Sequence, residues 1–460
     1  MEAATTKGMS VKEVIDSQDI TIEDKIAYFT RKSIKVPAWS DLEKEYNPKK
    51  HPVHTDPTYV DKGKEKLTRV SFGWQKLAVK RMAALIFGIP VQRVWTPQND
   101  REKLAAQIME DIYKRNRIDS VNIDRGKRLY ASCETMTIWF AQEAETMYAG
   151  QKSRLKLRCR SYSPDKGDKL YPLFDEYDDL VALSVEYTRR EDNVDVTYFD
   201  VYTDDTHVLW SKNTGEEVQK EEINIGKIAG VYFHRDERLW EEESNNVYEA
   251  EWMLSRNGNY IRKNSRPQLA LYTDGKPETD KAPKNANVAA RDIIKLNKGD
   301  KLEYVTWQGS TDAIKFQMEE IKHNFNSQLQ LPDMSMDNMK SSPMSGESRK
   351  MLFMDALMKV TSEAGLWLEG FDRELNVLRA YCKVMFPSLA DAFDAVSAEH
   401  VITPYQIRDQ KEDVETLATA VGAIASRKTC VQRLGWVEDA DEEVKLIESA
   451  QADDVFTAMQ

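Results

Sequence analysis

The chain has 460 residues, is 41% hydrophobic and 31% charged, and carries a formal net charge of −12. That length leaves room for two to four domains, and the charge level favours an extended or multi-part architecture. A chain this acidic does not coat nucleic acid non-specifically; no stretch approaches the ~18 apolar residues of a membrane span, and "MEAATTKGMSVKEVID" lacks the apolar core of a secretion signal.

Residues 1–65 are polar and proline-dotted ("NPKKHPVHTDPTYVDKGK") and read as an extended arm with one short helix around Glu23–Lys32. From Leu67 the pattern changes. "WQKLAVKRMAALIFGIPVQRVW" predicts a helix ending at Gly88 and a short strand after Pro90. Two more helices are expected near Arg101–Asn116 and Asn122–Ala131. Between 135 and 235 apolar and polar residues alternate in runs separated by turn residues, which predicts an antiparallel sheet. "NTGEE" is its clearest hairpin turn, and "INIGKIAGVYFH" adds a last strand at the domain edge.

Helices then take over. "EEESNNVYEAEWMLSRNGNYIRKNSR" sets Val247, Leu254 and Ile261 seven apart, and Pro267 stops it. Residues 267–307 return to short strands and loops. "TDAIKFQMEEIKHNFNSQL" places Ile314, Met318, Ile321 and Phe325 on a narrow stripe at heptad spacing. Two such helices flanking a small inserted module predict an antiparallel pair with the module at its tip. A Ser- and Met-rich loop follows: the stretch from Leu331 to Asp355 holds six of the chain's 17 methionines. The longest helix is expected from about Ser345 to Met385, with Leu357, Val360, Ala364, Leu368, Phe371, Leu375 and Leu378 on one face and Gly365 and Gly370 as candidate kinks. From Thr403 a small helical unit of three helices is expected: an amphipathic one, a short one and an acidic one.

The search for chemistry is largely negative. There is no phosphate-binding glycine loop, no paired dinucleotide glycines and no Gly-x-Ser-x-Gly elbow. Of six histidines only "HPVH" is close-spaced, without a third ligand nearby, and it reads as a solvated loop. Cys133, Cys159, Cys382 and Cys430 lack metal or redox spacing and read as reduced, buried thiols of a cytoplasm-made protein. "SRKTCVQRL" has acidic neighbours from Glu438 to Glu443, which oppose a DNA-reading helix. An enzyme acting on DNA would need converging carboxylates for a metal, and none stands out. No catalytic, metal-binding or cofactor residue is therefore assigned, and no cofactor is expected.

The order of parts, however, is unusual. "INIGKIAGVYFH" runs into "SNNVYEAEWMLSRNGNYIRKNSRPQLAL"; then come "LQLPDMSMDNMKSSPMSGESRKMLFMDALM" and "TPYQIRDQKEDVETLATAVGAIASRKTCVQRLGWVEDADEEVKLIESAQ". This order resembles the portal proteins of tailed double-stranded-DNA bacteriophages, over about residues 66–450. The resemblance implies an α+β portal fold: an N-terminal arm (1–65), an α/β wing (66–235), a first stem helix (236–265), a small α/β clip insert (266–307), a second stem helix (308–330), a tunnel loop (331–345), a long kinked helix returning to the wing (346–400) and a helical crown (401–460).

It also implies a ring of usually twelve copies at one capsid vertex. Genomic double-stranded DNA is packaged through it by a terminase motor, retained, and ejected through the tail. Implied partners are the major capsid and scaffolding proteins and the head-completion or tail-adaptor proteins; the implied place is the virion, after assembly in the host cytoplasm, with no membrane. The tunnel loop would present Met334, Met336, Met339, Lys340, Ser341, Ser342 and Met344 to the DNA. Val247, Leu254, Ile261, Ile314, Met318, Ile321 and Phe325 would pack the stem. Tyr272, Lys276, Lys281, Lys284 and Arg291 would mark the partner-docking clip. The second reading is another head-tail connector or minor capsid protein, although such connectors are shorter and lack the stem–clip–stem insertion.

Overall fold

The computed structural model describes residues 8–31, 34–56, 67–223, 225–264, 268–272, 301–305, 311–332, 353–405, 410–422, 424–434 and 442–449. Four short helices come first: α1 Val11–Asp16, α2 Ile22–Phe29, α3 Trp39–Tyr46 and α4 Pro52–Thr55. Next are α5 Trp74–Phe87, β1 Gln92–Trp95, α6 Asp100–Arg115 and α7 Ile118–Ser132. The β-rich stretch holds β2 Glu134–Tyr148, β3 Gln151–Tyr162, β4 Lys169–Phe174, β5 Leu180–Glu191, β6 Val194–Tyr202, β7 Thr206–Ser211, β8 Glu216–Glu222 and β9 Gly230–His234. Then follow α8 Ser244–Asn264, β10 Gln268–Tyr272, β11 Lys301–Val305, α9 Thr311–Gln328, α10 Met354–Met385, α11 Ala390–Ala395, β12 Ala398–Val401, α12 Gln410–Ala420 and α13 Arg427–Leu434. Residues 442–449 are also helical. The mixed α+β class expected from the sequence is the class observed.

The chain divides into two compact units, each assembled from three separate segments: 1–80, 127–138 and 159–329 in one, 81–126, 139–158 and 330–460 in the other. This division differs from the spans drawn on the sequence, because residues 66–235 contribute to both units.

In the first unit, β4 to β8 form an antiparallel sheet in sequence order. Such an order arises when consecutive strands are joined by tight turns; "NTGEE" is one of them, with Gly215 at φ +68°. One face of this sheet buries Ala182, Phe199, Val201, Val208 and Trp210 against Val14, Ile15, Ile26 and Phe29 of α1 and α2. Here the extended-arm expectation is corrected. Among the described residues the N-terminal segment supplies four α-helices rather than one, and the apolar residues of α1 and α2 complete a core. Ser10 and Glu13 form a reciprocal capping box that starts α1. Burying side chains such as Phe29 contributes about 1.5–3 kcal/mol each.

The second unit is organised around α10, a 32-residue helix that runs without interruption through Gly365 and Gly370. Its start is described from Met354, and the expected earlier turns fall partly outside the described residues. Val360, Phe371, Leu375 and Leu378 are buried as the periodicity requires; Leu357, Ala364 and Leu368 are half-buried. Phe87 meets Trp367 edge-on at 4.7 Å. A Cβ on Gly126 would come within 2.9 Å of that Phe87 ring, so glycine is needed there. Beneath them lies a buried ion pair. Arg125 Nη1 and Nη2 donate to the two Glu374 oxygens at 3.1 and 3.0 Å, and Trp139 Nε1 donates to Glu374 Oε1 at 2.9 Å. Asn122 Oδ1 accepts from Arg125 Nε at 2.8 Å. Nearby, Arg93 holds Glu110 through two bonds of 2.9 Å. Burial opposes ionisation of Glu110, but the Arg93 bonds outweigh it and keep its pKa low.

Three of the four thiols, Cys133, Cys382 and Cys430, are buried and free as expected, while Cys159 is only half-buried. Burial pushes the Cys133 pKa up to about 12, so this thiol stays protonated at neutral pH.

Candidate channel-ring site

The helices α8 and α9 pack on one another within the first unit. Their apolar seam is uneven. On α8, Val247 is fully buried, Leu254 half-buried and Ile261 49% exposed; on α9, Phe325 and Ile321 are buried while Met318 and Ile314 are half-buried. The seam is thus closed near the start of α8 and the end of α9 and opens toward the other end, where the insert lies. Trp74 closes the tight end, its ring 5.3 Å from that of Phe325 and stacked on Phe72 at 4.8 Å.

The opposite flank of α8 is held by hydrogen bonds. An extended segment before α5 runs antiparallel to α8. The backbone N–H groups of Thr68, Val70 and Phe72 donate to Asn259 Oδ1, Ser255 Oγ and Glu251 Oε1 at 2.5, 2.9 and 2.7 Å. Two residues of extended chain advance ~6.6–6.8 Å and four of helix ~6 Å, so three successive rungs match. A Cβ on Gly258 would stand 3.0 Å from Thr68 Cγ2, and this close approach explains the glycine.

Glu251 also anchors a buried cluster. His51 Nδ1 lies 2.7 Å from Glu251 Oε1, and His51 Nε2 lies 2.7 Å from the Glu45 carbonyl oxygen. Both ring nitrogens thus face oxygen atoms. The Glu45 carboxylate accepts from Trp240 Nε1 at 2.9 Å, from Ser244 Oγ at 2.8 Å and from Arg238. The "HPVH" expectation is corrected here: His51 is completely buried, not solvated. His54 bonds Ser71 Oγ at 3.0 Å. No cluster of metal-ligand side chains occurs among the described residues.

The other expected site residues are less fully placed. Tyr272 ends β10, paired to Lys301 of β11 in a two-stranded antiparallel ribbon. Lys276, Lys281, Lys284 and Arg291 lie outside the described residues, as do Met334, Met336, Met339, Lys340, Ser341, Ser342 and Met344. The hydrogen-bonded flank of α8 was missed from sequence. Its signal in the sequence is the recurrence of Glu251, Ser255 and Asn259 every four residues, on a different face from the apolar heptad.

A model of the family described as "Phage portal protein, SPP1 Gp6-like" matches residues 27–455, nearly the whole chain and including both α8 and α9. The chain belongs to this phage portal family. No curated protein matches the sequence. Among solved structures, the chain is similar to one titled "Neck of empty GTA particle computed with C6 symmetry", at 9% identity and TM-score 0.43 over 89% of this chain and 97% of the other. It is similar also to "Neck of native GTA particle computed with C12 symmetry", at 10% identity and TM-score 0.43 over 89% and 97%. A third, "Virion of native gene transfer agent (GTA) particle", matches at 10% identity and TM-score 0.40 over 93% and 99%. As a member of this family, the chain has a portal or connector role. No helix among the described residues is long and apolar enough to cross a membrane.

Proposed function

We propose that copies of this chain line the channel through which double-stranded genomic DNA enters a phage-type head, is retained and is ejected. The family match over residues 27–455 carries this reading. In it, α8 and α9 are the stem, and Val247, Leu254, Ile261, Ile314, Met318, Ile321 and Phe325 set the packing between them. The β10–β11 ribbon begins and ends the clip, where Tyr272, Lys276, Lys281, Lys284 and Arg291 meet the terminase motor first and head-completion or tail-adaptor proteins later. Residues 331–345 form the tunnel loop, and 401–460 the crown, toward the capsid interior.

Charge supports the reading. A net charge of −12 repeated around a ring makes an acidic particle whose lumen repels the phosphate backbone and keeps DNA from adhering while it moves. Methionine suits a loop beside moving DNA, because its flexible thioether repacks readily and offers the bases no strong hydrogen bond. Lys340 repeated around the ring gives transient phosphate contacts.

Negative-stain images of the purified chain test the ring; particles of usually twelve copies with an axial hole are expected, and monomers or dimers at every salt concentration overturn it. Deleting Met334–Ser342 tests the channel. Rings should still form while packaging or retention of DNA fails, and normal genome packaging by this variant rules out the tunnel-loop role.

A further inference from the structure

A ring of identical copies closes through a head-to-tail contact between two different patches of the same chain. This chain carries two exposed patches of opposite charge. The first is on β3, "QKSRLKLRCRSY", which has a cation at every second residue: Lys152, Arg154, Lys156, Arg158 and Arg160. Alternate residues of a strand point the same way, so the cations share one side of β3 at steps of ~6.6–6.8 Å. Ser153 and Leu157, on the other side, are buried; Lys152, Arg154 and Arg158 are exposed and Lys156 is half-buried. Among the described residues none of these four cations is held in an ion pair. The neighbouring strand β2 adds Glu143 and Glu145, so four cations stand against two carboxylates. Arg160 shows what such a guanidinium packs on: it lies 4.6 Å from the centre of the Tyr162 ring and 5.0 Å from that of Tyr187.

The second patch is the turn between β4 and β5, "DEYDD". Asp175, Glu176, Asp178 and Asp179 are all exposed with no cation among them, and Tyr177 in their midst is 77% exposed. The turn has a fixed shape. Asp175 Oδ1 accepts from the backbone N–H groups of Tyr177 and Asp179 at 2.9 Å each, and the Asp175 N–H donates to the Asp179 carbonyl at 2.9 Å. Among the described residues none of the four carboxylates is in an ion pair.

We propose that the Asp175–Asp179 turn of one copy docks on the cationic side of β3 in the next, as a head-to-tail contact of the ring. The Tyr177 ring takes the Arg158 guanidinium, as Tyr162 takes Arg160 within the chain, and the carboxylates of Glu176 and Asp179 face Arg154 and Lys156. Charge selects this occupant. The strand face has a surplus of cations even with Glu143 and Glu145 counted, and the turn is wholly acidic. A duplex would bring an unbroken line of phosphates against a chain of net charge −12, whereas the turn brings only four carboxylates and a ring that suits arginine. Each exposed pair contributes little alone, and closure of the ring sums the contact over every copy. This contact rests on the ring reading given above.

Charge reversal in the full-length chain tests it. Arg154→Glu/Arg158→Glu reverses the strand, and Glu176→Lys/Asp179→Lys reverses the turn. All four side chains are exposed, so the melting temperatures should stay near that of the wild type. Each variant alone should weaken ring association roughly tenfold or more, because like charges then face each other. An equimolar mixture of the two variants should recover rings in which they alternate, since each then meets a neighbour of opposite charge on both sides. The chain carrying all four changes should form rings by itself. Wild-type rings matched by undiminished rings of both variants overturn this contact and leave the ring standing. So do two weakened variants whose mixture stays apart. A wild-type chain that never forms rings overturns both the contact and the ring.

Discussion

His207 in β7 sits between two carboxylates, Asp200 Oδ1 at 2.5 Å from Nε2 and Glu221 Oε2 at 3.8 Å from Nδ1. The Tyr202 ring stacks on it at 4.4 Å, and the Tyr202 hydroxyl donates to Asp200 Oδ2 at 3.0 Å. Burial works against the charged imidazole, but the Asp200 bond and the two negative charges outweigh it and raise its pKa. A raised histidine pKa stabilises the fold fully below the unfolded value of ~6.5 and ceases to do so as the pH rises through the folded value. His207→Gln should therefore lower the melting temperature more at about pH 5.5 than at about pH 9; an equal loss at both would show that the ring is not charged in the fold. At Arg125 and Glu374, a single Arg125→Met change strands a buried carboxylate and should cost about 3–5 kcal/mol. Adding Glu374→Leu should restore part of that. The remainder reflects the Trp139 N–H left without its acceptor and Asn122 Oδ1 left without its Arg125 donor, ~1–3 kcal/mol each. Denaturant unfolding followed by near-UV circular dichroism reads both.

Among the elements, the extended strip beside α8 gives the most direct test. Ser255→Ala and Asn259→Ala each remove one acceptor from a backbone N–H, so amide exchange should accelerate at Val70 and at Thr68 respectively, with α8 itself unchanged. Such elements show what the sequence made legible. The strands from 134 to 234 were readable from apolar and alternating runs divided by turn residues, although β8 is exposed throughout and β9 is buried along most of its length. The helices α5 to α9 were readable from periodicity and stop signals. Of the N-terminal helices only α2 was readable, as the short helix around Glu23–Lys32; α1, α3 and α4 were not, because each is only one or two turns long and its apolar residues find their partners far along the chain. The "SVKE" box at Ser10–Glu13 was the one local sign. His51 was misread for the same reason: its partner Glu251 is 200 residues away. Of the candidate site, the seam of α8 and α9 was legible as spacing, but its opening toward the insert depends on packing that no local pattern encodes.

For the molecule as a whole, the net charge leads to a prediction about DNA. The free chain should not shift a duplex in a gel assay at micromolar concentration and physiological salt, since binding of that kind comes from clustered cations that neutralise phosphates. Retarded duplex under those conditions would contradict the repelling lumen. The interleaving of the two units has a further consequence, for how the protein is made. Arg125 and Glu374 are 249 residues apart, and the second unit is not complete until α10 exists. At a synthesis rate of ~5–20 residues per second, a guanidinium destined for full burial waits roughly 12–50 s for its carboxylate. During that wait the apolar faces of α5, α6 and α7 have no helix to cover them, so each nascent subunit emerges as a client for chaperones well before it can join a ring.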